Sequence, residues 1–280
     1  MPESLHMISY AQNREDVVLD RALHALDGFY VDVGAASPVI ASVTRHFYDL
    51  GWHGINVEPQ ASYADELRRE RPRDQTVEAV AGAVSGTCEF HIVESDPDLS
   101  TFDPTRVRDL ADEGERTSTQ VIEVVTLDAL LAAARPAAID FLKIDVEGAE
   151  RDVLLGIDLR RWRPRVIVVE ATVSNSQVPN FEKWEDLVVD RGYRYASFDG
   201  LNRYYVADEE AALADLLAPA NVLDDFVPAS MVLIDEELER LRGYIAHLER
   251  EIGVKNEHIA AIEALVRPSG DAGGPGPTNT

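Results

Sequence analysis

The stretch from Phe29 to Ser37 most constrains how this chain can fold. The run Phe29-Tyr-Val-Asp-Val33 is apolar and β-prone apart from its aspartate, and Gly34-Ala-Ala36 then allows a sharp turn. Small residues at such a turn let a ligand approach the main chain, and the free N–H groups of a following helix would face that ligand. Taken alone, the stretch fits either a nucleotide-type cofactor site or an ordinary buried strand and turn. A dinucleotide fingerprint would require a second glycine where Ala36 stands.

Predicted helices and strands alternate around this turn. Helices are expected over Ser9 to Ala25 and Val39 to Leu50, and the segment Gly54-Ile-Asn-Val-Glu58 reads as a second buried strand. Glu58 follows Gly34 by 24 residues, which is near the spacing at which a Rossmann-like unit places a ribose-binding acid. The alternative is a surface glutamate, but Pro59 bars helix geometry directly after it.

Two later strands also end in carboxylates. The run Ile139 to Ile144 is followed by Asp145, and Val166-Ile-Val-Val-Glu170 repeats the design. If these strands are neighbours in a parallel sheet, both carboxylates lie at the edge where ligands bind in this class of fold. The alternative is that Asp145 and Glu147 cap a helix starting near residue 148.

The intervening segments complete the predicted domain. We expect a third strand over Glu78 to Val84 and an extra strand over Thr87 to Val93. The polar segment Ser95 to Glu115 is expected to be a functional or mobile loop. A β-hairpin is predicted over Tyr193 to Val206, with Asp199-Gly200 at its turn.

A heptad pattern begins at Ile234, after a non-periodic connector that contains Pro219 and Pro228. Nine of its ten core positions are apolar, and the two rows are Ile234, Leu241, Leu248, Lys255, Ile262 and Leu238, Ile245, Ile252, Ile259, Val266. We call these ten residues the heptad seam. So narrow a seam predicts a self-associating coiled coil, and therefore a homo-oligomer, or else a helix folded back on its own domain. The predicted organisation is a domain over residues 1–227, a coiled-coil helix over 228–267 and a disordered tail over 268–280.

Composition narrows the possible partners. The net charge of −25 argues against nonspecific nucleic-acid binding, which requires clusters of Lys and Arg. No apolar run is long enough to span a membrane, and the first thirty residues lack a signal-peptide core. Cys88 is the only cysteine, which fits a reduced cytoplasmic location.

Several motifs together resemble one protein family. They are Tyr10-Ala-Gln-Asn-Arg-Glu-Asp16, Val31-Asp-Val-Gly-Ala35, Gly51-Trp-His-Gly-Ile-Asn-Val-Glu-Pro59, Leu99-Ser-Thr101, Thr126-Leu-Asp128, Leu142-Lys-Ile-Asp-Val-Glu-Gly-Ala-Glu150 and the segment from Gly192 to Tyr205. In this order they resemble the FkbM family of class I S-adenosylmethionine-dependent methyltransferases. The resemblance runs from about Ile8 to Val206 and leaves the heptad segment outside it.

The resemblance implies an α/β fold with a Rossmann-like class I methyltransferase sheet, a terminal β-hairpin and, beyond it, the coiled-coil helix. It also implies methyl transfer from S-adenosylmethionine to a hydroxyl of a sugar, glycoside, polyketide or related natural-product acceptor. The residues that it assigns to the cofactor site are Asp32, Gly34, Ala35, Glu58, Ala83, Ser85 and Ser100. Because S-adenosylmethionine has no phosphates, Ala36 is less of a departure for this cofactor than for a dinucleotide.

Some members of the family bind a divalent metal at the ends of the fourth and fifth strands. Asp145 and Glu170 match those places, and Asn175 is a candidate for a third oxygen ligand or a substrate contact. Oxygen ligands suit Mg²⁺, so the resemblance implies this ion as a candidate cofactor. Asp145 and Glu147 are the candidate catalytic residues, with Glu147 nearest in sequence to the expected ion.

Two other functions compete with methyl transfer. A Rossmann-like NAD(P) oxidoreductase would share the Gly34 turn, but no Tyr-x-x-x-Lys or similar hydride-transfer pattern accompanies it. A non-catalytic scaffold would act through the heptad segment and carry a degenerate α/β domain. The intact set of Gly34, Glu58, Asp145 and Glu170 argues against degeneracy.

Overall fold

A computed structural model describes residues 7–95, 100–101, 104–173, 176–221 and 223–266. The chain divides into two compact units at the junction between Pro228 and Ala229. Asn175 and the predicted tail over 268–280 lie outside the described residues.

The secondary structure alternates strands and helices along the first unit. The strands are β1 (Met7–Ser9), β2 (Phe29–Val33), β3 (His53–Val57), β4 (Gln75–Val77), β5 (Val80–Ala81), β6 (Gly86–Val93), β7 (Thr117–Val125), β8 (Phe141–Ile144), β9 (Val166–Glu170), β10 (Tyr193–Phe198), β11 (Asn202–Ala207) and β12 (Phe226–Pro228). The α-helices are α1 (Glu15–Leu23), α2 (Arg45–Leu50), α3 (Ala61–Glu70), α4 (Pro104–Asp112), α5 (Leu127–Ala134), α6 (Glu150–Leu155), α7 (Leu159–Trp162), α8 (Glu185–Val189) and α9 (Ala229–Val266). Among the described residues, 3₁₀ segments cover Phe181–Lys183 and Asp208–Leu217.

A seven-stranded sheet forms the centre of this unit, in the order β10-β11-β9-β8-β2-β3-β4. The five strands from β9 to β4 are parallel, whereas β11 is antiparallel to β9 and pairs with β10 as a hairpin. Strands β2, β8 and β9 are central and carry mostly apolar side chains, because both faces of a parallel sheet are covered. This arrangement confirms the predicted Rossmann-like sheet with its terminal hairpin.

The residue pattern on the central strands divides the core in two. One face packs Val31, Leu142 and Ile167 against helices on that side. The other face packs Tyr30, Phe141 and neighbouring apolar residues against α1 and α2. Two smaller sheets flank the main one: β5-β7-β6, and the parallel pair of β1 with β12.

The N-terminal helix is shorter than predicted. Ser9 belongs to β1, and α1 begins only at Glu15. The reason is Asp16, whose carboxylate accepts hydrogen bonds from Ser9 Oγ (2.7 Å), Tyr10 N (2.6 Å) and Ala11 N (3.2 Å). These bonds hold the segment before α1 in a non-helical path.

The prediction of a helix over Val39 to Leu50 is also wrong in its first half. Helix α2 covers only Arg45–Leu50, with Gly51 as its left-handed C-cap. The preceding segment is fixed by the buried Arg71, whose guanidinium donates to Pro38 O, Ser42 Oγ and Thr44 Oγ1. A distant side chain has therefore overridden a local helical pattern.

Three further boundaries differ from expectation. The third strand of the main sheet is β4, at Gln75–Val77, and the chain then leaves that sheet so that β5 pairs with β7. The predicted loop from Ser95 to Glu115 contains helix α4. The connector after Asp208 carries a 3₁₀ segment and β12, which pairs with β1.

The described residues of the second unit form one long helix, α9, of 38 residues. It covers the whole heptad seam. Within the described part of the chain, no helix is both long enough and apolar enough to cross a bilayer.

Candidate active site

The turn after β2 approaches the end of β8 very closely. Gly34 has φ +77°, and its N–H donates to Val57 O at 3.0 Å. A Cβ at this position would lie 1.8 Å from the carbonyl oxygen of Asp145. Both the positive φ and the close backbone contact require glycine here, so the one glycine of the turn stands where no side chain fits.

Glu58 fixes the other side of this turn. It is 3% exposed at the carboxyl end of β3, and its carboxylate accepts hydrogen bonds from Ala36 N (2.8 Å) and Gln60 N (2.8 Å). Ala36 itself has φ +46°, a left-handed conformation that favours glycine. The predicted acid is therefore an integral part of the turn and is not a free surface glutamate.

A cleft opens over the carboxyl ends of the central strands. Four of the predicted cofactor residues line it, namely Gly34, Ala35, Glu58 and Ser100, together with the predicted catalytic residues Asp145 and Glu147. Ser100 is 8% exposed, and its Oγ accepts a hydrogen bond from Val93 N at 3.1 Å. This serine is therefore packed against β6 at the cleft wall.

Three predicted cofactor residues do not line the cleft, namely Asp32, Ala83 and Ser85. Ala83 and Ser85 follow the end of β5 and lie outside it, whereas Ala79, Val80 and Ala81 form the wall in that region. The prediction placed the wall too late in the sequence because it extended the third strand to Val84.

Asp32 lies beneath the cleft at 1% exposure. Its carboxylate accepts a hydrogen bond from Thr44 Oγ1 at 2.9 Å and faces Lys143 Nζ at 3.8 Å. Its place is therefore a supporting one, below the turn that forms the cleft floor.

Three carboxylates meet beside the cleft. One oxygen each of Asp145, Glu147 and Glu170 lies within 4.8 Å of the others. We call these residues the carboxylate cluster. Asp145 follows β8 and Glu170 ends β9, so the parallel pairing of these strands brings them together as predicted.

The backbone places Glu147 in this cluster. Its φ of +53° is unusual for a residue with a side chain, and its carbonyl accepts a hydrogen bond from Thr101 Oγ1 at 3.1 Å. The alternative that Asp145 and Glu147 cap a helix is wrong, because α6 begins at Glu150 and its N-cap, Ala149, has no side-chain cap bond.

The negative charges of the carboxylate cluster repel one another when no cation is bound. Burial raises the pKa of Glu170, and the charges of Asp145, Glu147 and Glu150 raise it further. Glu170 Oε2 is buried and has no hydrogen-bond partner among the described residues. An oxygen of this kind is suited to a cation or to a donor that arrives with a ligand.

Lys143 supplies positive charge next to the cluster. Its Nζ lies 3.2 Å from Asp145 Oδ2 and 3.8 Å from Asp32 Oδ1, and it donates a hydrogen bond to Gly34 O at 3.5 Å. Burial alone would lower the pKa of this lysine, but the carboxylates of Asp145, Asp32 and Glu15 together raise it above its ordinary value. Lys143 therefore stays charged and holds Asp145 at the cleft.

The sequence interpretation did not assign a role to Lys143 or Gln12, which both line the cleft. A signal for Lys143 was available: a lysine in a short buried strand two residues before Asp145 must share a sheet face with it. Gln12 lies in the motif from Tyr10 to Asp16, but no role was assigned to it because this segment was expected to be helical.

The sequence of this chain matches the family described as the methyltransferase FkbM domain over residues 32–195. That span is more than half of the 280 residues. The chain belongs to the FkbM methyltransferase family. The FkbM match begins at the predicted Asp32 and includes every residue of the carboxylate cluster.

Other similarities are more distant or shorter. A 72-residue segment is 33% identical to an intracellular exo-α-(1→5)-L-arabinofuranosidase of Acetivibrio thermocellus. This match spans 26% of the FkbM-family chain and only 14% of the length of that curated relative.

Two solved structures are similar over most of the chain. A TehB-like SAM-dependent methyltransferase from Corynebacterium glutamicum aligns over 69% of this chain and 87% of its own, with 10% identity and a TM-score of 0.38. A precorrin-6y C5,15-methyltransferase from Geobacter metallireducens aligns over 74% of this chain and 94% of its own, with 12% identity and a TM-score of 0.35.

Proposed function

We propose that this FkbM-family chain is an S-adenosylmethionine-dependent O-methyltransferase whose acceptor is a hydroxyl of a sugar, glycoside or related natural product. One observation carries the proposal. Asp145 and Glu147 belong both to the wall of the cleft and to the carboxylate cluster, so a cofactor in the cleft and an acceptor at the cluster would be adjacent. Adjacent sites are what a direct group transfer requires.

The cleft suits a cofactor without phosphates. The Gly34 turn is held against Asp145 and Val57, and Ala36 occupies the place of a second glycine, so the pyrophosphate-binding form of this turn is absent. The Glu58 oxygens accept the backbone N–H groups of Ala36 and Gln60, which fixes the carboxylate at the cleft as a hydrogen-bond acceptor of the kind that binds a ribose hydroxyl. Ala79 to Ala81 offer an apolar wall for the adenine.

The donor set of the cluster fits a divalent cation. Three carboxylates provide the oxygen ligands that Mg²⁺ prefers, and the buried Glu170 Oε2 has no hydrogen-bond partner in the described part of the chain. Asp145, Glu147 and Glu170 would hold the ion, while Asn175 remains a candidate from the sequence alone. When bound, Mg²⁺ would orient two neighbouring hydroxyls of the acceptor and lower the pKa of one of them.

The carboxylate cluster can accept the proton that the acceptor hydroxyl loses during methyl transfer. A lone pair of the acceptor oxygen forms the bond to the methyl carbon while the carbon–sulfur bond breaks, and the electron pair of the broken bond stays on sulfur, which becomes a neutral thioether. The hydroxyl proton passes to a carboxylate of the cluster, and Glu147 is our candidate because it lines the cleft. Lys143 holds the Asp145 carboxylate in an ion pair at 3.2 Å, so Asp145 serves to shape the cleft wall in this proposal.

Two binding measurements test the class of enzyme. Isothermal titration with S-adenosylhomocysteine should show binding, and titration with NAD should show none. Binding of NAD alone would overturn the proposal in favour of an oxidoreductase, and binding of neither would favour a non-catalytic scaffold.

An activity assay tests the acceptor and the cluster. The chain is assayed with S-adenosylmethionine against a panel of sugars, glycosides and oligosaccharides, with Mg²⁺ and with excess chelator. Asp145→Ala and Glu170→Ala should abolish turnover while leaving S-adenosylhomocysteine affinity within a few-fold, and the exposed Glu182→Ala should retain activity. Full activity in chelator would eliminate the metal-assisted form of the mechanism.

A further inference from the structure

Helix α9 presents the heptad seam to solvent along its whole length. The apolar residues of the seam are between 37% (Leu248) and 74% (Val266) exposed. A helix of 38 residues is about 57 Å long, and an apolar stripe on an otherwise charged helix is stable in water only when another surface covers it. The identity of that surface can be read from the residues at and beside the seam.

The two rows of the seam carry different side chains. Ile245, Ile252 and Ile259 lie in one row, and Leu241 and Leu248 lie in the other. The row of Leu241 and Leu248 lies three residues after the row of isoleucines and is therefore heptad position d. Position a holds the three isoleucines with Leu238 and Val266, and position d holds the two leucines with Ile234, Lys255 and Ile262. β-Branched residues at a with leucine at d favour two parallel strands over three or four.

The residues that flank the seam are compatible with a parallel pair of identical helices. In register, Glu237 faces Arg242 of the second copy, and His258 faces Glu263 of the second copy. The other two cross-pairs are Tyr244 with Glu249, and Glu251 with Asn256. None of the four pairs brings like charges together, and each occurs twice in a symmetric dimer.

An antiparallel pair that overlaps the full seam is disfavoured by the same residues. That alignment places Glu249 against Glu249, Glu251 against Glu251, and Asp235 against Glu263 of the second copy. Like charges at flanking positions act against an arrangement. The flanks therefore select the parallel orientation.

Two intrahelical ion pairs would have to rearrange. Arg240 pairs with Glu237 at 2.6 Å, and Arg242 pairs with Glu239 at 2.6 Å. All four side chains are more than half exposed, and exposed ion pairs contribute little, so exchanging them for pairs with a second copy costs little.

We propose that α9 forms a parallel, in-register, two-stranded coiled coil with a second copy of this chain. Lys255 is the one charged residue of the seam and occupies a d position. In the parallel dimer the two Lys255 side chains share a layer and weaken it, as polar core residues do when they restrict oligomer size. The proposal concerns α9 alone and does not depend on the proposed methyltransferase activity.

Sedimentation equilibrium of the full chain, with and without substitutions, tests the interface. The wild type should have the mass of a dimer at micromolar concentrations. Ile252→Asp should raise the dissociation constant by at least about 100-fold, because it buries a charge in the seam. Lys255→Leu should lower the dissociation constant by about tenfold or more, because it restores an apolar layer.

Val254→Asp is the matched control, since Val254 is 53% exposed against 57% for Ile252 but lies outside the seam. It should leave the dimer unchanged. A monomeric wild type would show that the seam has no second copy as its partner, and a trimeric or larger wild type would overturn the two-stranded assignment. Equal disruption by Val254→Asp and Ile252→Asp would refute the seam as the interface. Circular dichroism and the thermal unfolding of each variant verify that the chain remains folded.

Cross-linking tests the orientation in a Cys88→Ser background, which removes the only native cysteine. In the Leu241→Cys variant, the cysteines of the two chains should form a disulfide with each other under oxidising conditions, because residue 241 of one chain meets residue 241 of the second only in the parallel register. In the antiparallel alignment Leu241 faces Ile259. Cross-linking only in a mixture of Leu241→Cys and Ile259→Cys chains would therefore overturn the parallel arrangement.

Discussion

Replacing Glu170 with glutamine should increase the stability of the metal-free chain while removing its proposed activity. Glu170 is 5% exposed and its carboxylate lies within 4.8 Å of those of Asp145 and Glu147. At that separation and an effective dielectric constant of about 20, each pair of negative charges repels by roughly 3.5 kcal/mol. Glutamine has nearly the same shape and no charge, so Glu170→Gln removes this repulsion without opening a cavity.

The chain can avoid part of the repulsion by keeping Glu170 protonated, which limits the gain and makes it depend on pH. Burial, followed by the charges of Asp145 and Glu147, raises the folded-state pKa of Glu170 above its unfolded value of about 4.3. A carboxyl group with a raised folded-state pKa lowers stability as pH rises between the two values. At pH 7 this cost is at most about 3.7 kcal/mol, and it vanishes near pH 4.

We therefore expect Glu170→Gln to increase the free energy of unfolding by roughly 1–3 kcal/mol at pH 7.5, and by less at pH 5. Urea unfolding in excess chelator, followed by the fluorescence of the three tryptophans, measures the difference. The exposed Glu182→Gln removes the same charge elsewhere and should change stability little at either pH. A destabilised Glu170→Gln chain, or an equal effect at both pH values, would contradict the electrostatic account.

Two further predictions concern the cleft and the buried acids. Gly34→Ala should abolish S-adenosylhomocysteine binding and should destabilise the chain much more than the control Gly114→Ala does. Both glycines have positive φ (+77° and +84°), but of the two only Gly34 has a neighbour within 4 Å of an added Cβ. Strain from φ alone costs about 1–2 kcal/mol, so similar unfolding midpoints for the two variants would refute the role of the Asp145 contact. Burial raises the pKa of Glu15 to about 7, so its ionisation should lower stability as pH rises from about 4.3 to 7. In urea unfolding at pH 5 and 7.5, Glu15→Gln should reduce the loss of stability between these values, and an unchanged loss would show that Glu15 does not titrate in this range.

The parts of the site that could be predicted are those fixed by the ends of strands. A buried apolar run followed by an acid specifies both the strand and the edge at which its carboxylate lies, as Glu58, Asp145 and Glu170 show. The Gly34 turn was predictable for the same reason, because a glycine after a buried strand marks a place where backbone must approach closely.

The parts that could not be predicted depend on side chains distant in sequence. The segment before α2 has a helical pattern of residues, yet the guanidinium of Arg71 binds it in another conformation from more than 25 residues away. The N-terminal segment was expected to continue α1 but is held by Asp16, and it thereby brings Gln12 to the cleft. A helical period read from neighbouring residues contains no information about such contacts.

Backbone strain in this chain concentrates where ligands are expected. Seven described residues other than glycine have a positive φ, and His24, Arg135 and Arg163 are helix C-caps, where this conformation is common. Arg14 is the N-cap of α1. The remaining three, Ala36, Ala41 and Glu147, all line the cleft.

Left-handed backbone at such residues costs of order 1–3 kcal/mol each, and the carboxylate cluster adds repulsion at the same place. The rest of the fold thus holds the ligand-free site in an unfavourable conformation. A ligand that fits against the Gly34 turn and neutralises the carboxylate cluster therefore meets a site whose geometry is already formed. Its binding energy is then not spent on ordering the site. A ligand at 100 times its dissociation constant stabilises the folded state by about 2.7 kcal/mol. Because S-adenosylhomocysteine and Mg²⁺ would act at adjacent but different groups, Gly34→Ala should remove the thermal shift caused by the first, and Glu170→Gln should remove the shift caused by the second.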